Sequence, residues 1–182
     1  MPTKSELLEH AVEILRIGDS LTFDAVARHA GLTKPGVVHH FRTKESMTVA
    51  VVDYIVDRWE ADLANRTSAE STQVERLRAY VDFAFSGTFD RSDLALIVDP
   101  RLQNELTAQW SARLAPWLDS DIGLGDEAEA LCLAARLLAD GAWFNVSIGL
   151  LVLSEAHRTA LRDTAFRLID DAVALAPHAA SS

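Results

Sequence analysis

The sequence predicts an all-α protein, with a three-helix N-terminal head followed by a larger helical body. Three observations carry this. Apolar residues recur at three- and four-residue intervals along most of the chain. Nine such segments are separated by Gly, Pro, Ser and Asp. No stretch alternates with the two-residue period of a half-buried strand, and no internal repeat is present. Apolar residues make up 49% of the 182 residues, enough for the core of one domain or of a small head joined to a body.

The first helix is predicted over Ser5 to Ile17, where Leu7, Leu8, Ala11, Ile14 and Leu15 form one stripe. Gly18 stops it, and Asp19-Ser20 turn the chain. Thr22 caps the second helix, and Asp24 in its first turn suits the helix dipole. Phe23, Val26 and Ala27 face inward, Gly31 ends the helix at positive φ, and Leu32 packs into the corner. Thr33 caps a third helix that runs to His40; Pro35 is tolerated only because it falls in the first turn. Thr43 caps a fourth, long helix from Lys44 to Asn65, with Met47, Val51, Tyr54 or Ile55, Trp59 and Leu63 on its stripe.

Five further helices are predicted at 71–86, 92–98, 101–118, 126–151 and 155–175, with Pro116 kinking or shortening the third of them. The resulting organisation is a head over 1–46, a body over 47–176 and a disordered tail over 177–182.

Charge separates the two parts. The net charge is −10, unusual for a partner of nucleic acid, but residues 1–50 carry six Lys/Arg and six Asp/Glu and the whole deficit lies beyond them. Lys34, Arg42 and Lys44 cluster there with only Glu45 opposing them. An acidic body would repel phosphate and disfavour wrong docking orientations. One cysteine, Cys132, excludes an internal disulfide and a Cys-rich metal site. The apolar runs are too interrupted to span a membrane. The N-terminus lacks a signal peptide's basic start and apolar run, so a cytoplasmic protein is expected.

Residues 22–41 therefore read as helix, glycine turn, helix, aromatic: a helix-turn-helix, with double-stranded DNA as the expected partner. Thr33 and Lys34 stand at the end of the third helix that enters a major groove first. Lys34 can reach a phosphate or a guanine edge. Pro35 and Gly36 leave a low surface for close approach; Gly36 costs about 1 kcal/mol of helix propensity against Ala, which an outside surface can justify. Val38 has no polar atom, so any readout it contributes is apolar. His39 and His40 can donate to phosphate, and Lys44 can clamp the flanking backbone. Neighbouring positions on a helix diverge, so His39 and His40 are not expected to bind a metal. No cofactor is predicted.

The string T-F-D-A-V-A-R-H-A-G-L-T from Thr22 to Thr33, then K-P-G-V-V-H-H-F to Phe41 and K-E-S-M from Lys44 to Met47, resembles the DNA-binding head of the tetracycline-repressor (TetR) family of bacterial regulators. The resemblance covers about 50 residues. It implies an all-helical protein of about nine helices, a head that binds palindromic operators as a dimer, and a body that binds a small effector. It implies dimerisation through the last two long helices, here 126–151 and 155–175. Carried to this chain, it makes Thr33, Lys34, Pro35, Gly36 and His39 candidates for groove contact, and His40 and Lys44 phosphate contacts. Phe41 becomes the packing residue towards the fourth helix. The chain departs from the pattern at Val38 and His40, where many members carry Tyr, so a common phenol–phosphate bond is missing at Val38.

The dimer faces are expected on Leu131, Leu138, Ala142 and Ile148/Gly149, and on Leu161, Ala165, Leu168 and Val173; small Ala135, Ala139 and Gly141 permit close crossing. Effector-pocket candidates are Tyr54, Trp59, Tyr80, Phe83, Phe85, Trp110, Trp117, Trp143, Phe144 and Asn145. Few basic groups accompany them, which favours a neutral, apolar or cationic effector; Asp82, Asp99 and Asp140 could meet a cation. Cys132 reads as a buried inert thiol. The expected function is a ligand-responsive regulator, a repressor released from its operator by a small molecule. Alternatives are an activator of the same fold and a helical protein–protein regulator. An enzyme is least supported: Gly123-Leu124-Gly125 is too short to cradle phosphate, and no nucleophile–base or paired-carboxylate spacing is present.

Overall fold

The computed structural model describes residues 2–97, 100–119, 123 and 125–175. All regular structure among them is helical: α1 (Lys4–Arg16), α2 (Phe23–His29), α3 (Lys34–His40), α4 (Lys44–Ala64), α5 (Gln73–Ser86), a 3-10 helix (Arg91–Ile97), α6 (Gln103–Leu118), α7 (Asp126–Ser147) and α8 (Glu155–Leu175). The expected tail over 177–182 and Asp99 lie outside the described residues. No helix among the described residues is long and apolar enough to cross a membrane.

The chain forms two compact units, Met1–Trp59 with Phe89–Ala112, and Glu60–Thr88 with Arg113–Ser182. In the first, α1 packs on α2 and on the 3-10 helix, and α2 packs on α3. Leu7, Ala11, Ile14, Val26, Val37, Met47, Val51 and Ile55 are buried, which is the stripe pattern read from the sequence. Two glycines stop helices in this unit. Gly18 (φ +78°) and Gly31 (φ +65°) adopt the left-handed region. Each ends its helix in a Schellman motif, with Asp19 N–H donating to Ile14 O and Leu32 N–H to Ala27 O.

A buried polar contact crosses the same unit. Trp59 stacks edge-on against Trp110 (4.8 Å between ring centroids) and Phe89 (5.4 Å). Its indole N–H donates to Asp93 at 2.9 Å. Asp93 also accepts from the Asp90 N–H at 2.8 Å. Arg16 of α1 pairs with Asp90 at 2.8 Å. Burial holds the Asp93 carboxyl above the usual carboxylate range, although its two donors oppose this.

In the second unit α5, α7 and α8 pack on one another. The buried seam of α7 is Ala128, Cys132, Ala135, Ala139 and Ala142, at alternating spacings of four and three. Small side chains at this period let neighbouring helices approach closely. Ala165, Ile169 and Ala172 of α8 are buried as well. Cys132 is fully buried, and burial pushes its thiol up, away from reactivity.

Four segments differ from the sequence expectation in type or by more than one residue. The segment expected as a helix at 92–98 is a 3-10 turn over Arg91–Ile97. α5 starts at Gln73 because Thr72 and Glu75 form a reciprocal capping box. α6 starts at Gln103 and ends two residues after Pro116. α7 ends at Ser147, not 151, because Gly149 (φ +72°) closes a third Schellman motif with Leu150 N–H donating to Asn145 O.

Trp59→Phe keeps the ring but leaves the buried Asp93 carboxylate one donor short, and should destabilise the protein by about 1–3 kcal/mol at neutral pH. Because Asp93 is raised in the folded state, its contribution to stability is present at low pH and lost as pH rises through the folded value. The penalty of Trp59→Phe should therefore shrink on acidification. Urea melts of both proteins across acidic and neutral pH check this; a penalty that grows towards acid contradicts it.

Candidate nucleic-acid interface

The turn between α2 and α3 decides what faces outward. The left-handed Gly31 reverses the chain, and Thr33 in extended backbone (φ −87°, ψ 153°) begins α3. Val37 is completely buried, and Phe41, which ends the helix, is buried too. That leaves Thr33, Lys34, Pro35, Val38 and His39 exposed, with Gly36 and His40 half-buried.

Thr33 occupies the N-cap position, but its hydroxyl makes no cap hydrogen bond. The expectation that it caps through its side chain is corrected. With Pro35 at the second helical position, the N–H left for a cap side chain is that of Gly36, and it bonds the Thr33 carbonyl at 2.9 Å instead. Thr43, by contrast, caps α4 as expected: Ser46 N–H donates to its Oγ1 at 3.0 Å, and Thr43 N–H donates to Ser46 Oγ at 3.1 Å.

Lys34 Nζ donates to Asp24 at 2.9 Å across the α2–α3 corner, a pair that sequence distance alone did not reveal. The His39 and His40 rings meet edge-on with centroids 5.4 Å apart. Lys44 and Arg42 are exposed. Glu45, next to Lys44 in the chain, faces Arg101 at 3.8 Å, which reduces its opposition to those cations. Lys4 lies over the Phe41 ring at 5.8 Å. It therefore joins the basic edge beyond α3, a placement with no signal in sequence because the two residues are remote in the chain. Among the described residues no group of three or more His, Cys, Asp and Glu could hold a metal ion.

Gly36 has helical backbone, and a Cβ there would meet only Thr33 Oγ1 at 3.6 Å and Leu32 carbons at 3.9 Å. Those are ordinary contacts, so nothing inside the protein requires glycine.

The effector candidates divide between the two units. Trp59 and Trp110 belong to the core of the first unit. Tyr54 in the same unit is half-buried beside Glu9 and lines a cleft of about 420 Å³ with Lys4, Leu8 and Asp53. In the second unit Tyr80 is buried, donates its hydroxyl to Asp140 and accepts from the Trp143 indole at 3.0 Å. Burial first, then the Asp140 charge, pushes the Tyr80 phenol well up. Phe83 is buried under the Arg66 guanidinium, and Trp117 donates to Thr67 at 3.4 Å. Phe144 is 40% exposed. Asn145 and Phe85 line a pocket of about 220 Å³ in the second unit, with Leu137, Leu138, Ala142 and Leu161. Two of the acids expected to meet a cation are paired within the chain: Asp82 with Arg66 and with Arg162, and Asp140 with Arg136.

Gly36→Ala should stabilise the fold by about 0.5–1 kcal/mol through helix propensity. It should weaken duplex binding on the order of tenfold, ~1.4 kcal/mol, by lifting the helix off the groove. Thermal melts and fluorescence anisotropy read the two effects separately. A variant that is stabilised and binds as well as the parent shows that the glycine has no role at the interface.

Residues 19–51 match the family described as bacterial regulatory proteins, tetR family. Residues 74–170, more than half of the chain, match the tetracyclin repressor-like C-terminal domain. No curated protein matches the chain. With both the helix-turn-helix head and most of the body accounted for, the chain belongs to the tetR family of bacterial regulatory proteins, a family of DNA-binding transcriptional regulators rather than enzymes.

Proposed function

We propose that this protein is a cytoplasmic, ligand-responsive transcriptional repressor that binds a palindromic operator as a homodimer and is released by a small molecule. The observation that carries the reading is the exposed α3 face, held by a glycine turn and bordered by Arg42 and Lys44, in a chain whose negative charge lies elsewhere. DNA binding is assigned to residues 1–46, through Thr33, Lys34, Pro35, Gly36, Val38, His39, His40 and Lys44. Effector binding and dimerisation are assigned to 47–176. α4 begins at Lys44 and contributes residues to both compact units, so it is the lever by which an effector changes the spacing of two heads. Two recognition helices must lie one duplex turn apart, or a multiple of it, to bind together.

The dimer reading draws support from α7. Leu133, Leu137 and Phe144 share one side of that helix and are 43%, 60% and 40% exposed. Of the faces read from sequence, Val173 of α8 is 46% exposed, Leu131 and Leu138 are half-buried, Ala142 is buried inside the unit, and Ile148 and Gly149 follow the helix end. An apolar stripe of this kind on a water-facing helix is what a two-fold interface covers.

An inverted repeat in the DNA beside the gene supplies the duplex for the test. Lys44→Ala should weaken repeat and random duplex by similar factors, with the salt slope falling by about one unit per half-site; altered base preference at unchanged slope contradicts a phosphate role. Leu137→Glu should shift the sedimentation coefficient from dimer to monomer; a variant that stays dimeric moves the interface elsewhere. An effector that releases the operator must bind more weakly in its presence, by a coupling of about 1–3 kcal/mol. Calorimetry with and without operator measures it, and equal affinities remove that compound as inducer.

A further inference from the structure

The outward face of α3 sets two apolar side chains beside its polar ones. Pro35 is exposed, and Val38, three residues later, is 37% exposed. These positions, with His39, fall on one side of the helix. Gly36 adds no side chain, and Lys34 is already paired with Asp24 at 2.9 Å. The adjacent Val37 is wholly buried, so α3 supplies its core contact without Val38.

On the major-groove edges of the four bases there is one apolar group, the 5-methyl of thymine. We propose that Pro35 and Val38 form a two-point methyl-reading surface that selects thymine at neighbouring base pairs in each half-site. Three helical residues advance about 4.5 Å along the axis, and a duplex advances about 3.4 Å per base pair. The two side chains therefore address successive base pairs, not one. Both are rigid: proline by its ring, valine by its branched Cβ. Neither loses much side-chain freedom on docking, and a small hydrophobic contact is retained in full. The inference rests on the DNA-binding reading above and specifies its base chemistry.

The test selects duplexes from a random pool with the full chain and then replaces each thymine in the winning sequence by deoxyuridine, which removes the 5-methyl alone. Two neighbouring positions per half-site should each lose about fourfold in affinity, the equivalent of one buried methyl group. Val38→Ala should abolish the deoxyuridine effect at one of them and leave the other. Val38 is exposed, so the variant should melt with the parent, and the deoxyuridine series needs no variant at all. An enriched sequence indifferent to every deoxyuridine replacement overturns the inference and leaves DNA binding standing. Deoxyuridine effects that Val38→Ala leaves intact overturn the assignment to Val38. A pool in which nothing is enriched overturns the regulatory reading and this inference with it.

Discussion

The left-handed glycine at position 31 is the constraint on which the interface depends. A residue with a Cβ reaches φ near +65° only under strain, so this corner is set by the absence of a side chain. From it follow the Leu32–Ala27 backbone bond, the extended Thr33, and the rotation of α3 that sinks Val37 and raises Pro35 and Val38. Nothing lies within 4 Å of where a Cβ on Gly31 would project, so the requirement is conformational and not one of space. At Gly18 a Cβ would meet the end of the exposed Arg91 side chain at 2.4 Å, which is free to swing aside, so there too the backbone is what calls for glycine.

Each unit is also held to one arrangement by a buried polar contact among aromatics. In the first, the indole of Trp59 must point at Asp93, which fixes the ring inside the Trp110 and Phe89 cluster. In the second, Trp143, Tyr80 and Asp140 form a chain of donors and acceptors, and Arg136 balances the charge at its end at 3.5 Å. A buried donor or acceptor left without its partner is costly, so such contacts narrow the set of acceptable packings more sharply than apolar area does. Apolar seams such as the alanines of α7 supply close approach, but they tolerate sliding by a turn.

The head was legible in the sequence because its signals are local. Thr22, Gly18, Gly31 and Thr43 act within a few residues of themselves, and the structure finds all four at helix ends. Where a signal was local but two readings competed, the outcome went to the stronger geometry. Gly149 ended α7 although the apolar run continued to Leu153, because a positive-φ glycine satisfies the last carbonyls of the helix. Thr33 had the composition of a cap but not its hydrogen bond. The body was legible only as helices. Which aromatics would line a pocket depends on contacts between residues dozens of positions apart, and Trp59 with Asp93 or Tyr80 with Asp140 leave no periodic trace. Several of the aromatics singled out are core residues, and leucines make up most of the lining of one pocket in the second unit.

The Lys34–Asp24 pair bears on how such a protein would travel along a chromosome. Both side chains are more than half exposed, so the pair contributes little to stability. It does give the lysine a resident anion. Engaging any phosphate then exchanges one partner for another, and the gain from that lysine on random sequence is small. Brief dwell times at wrong positions let a searching molecule sample more of the genome in a given interval. Under the proposed DNA-binding reading, a carboxylate on the neighbouring helix would act as a tethered competitor, trading strength of adhesion for speed of search.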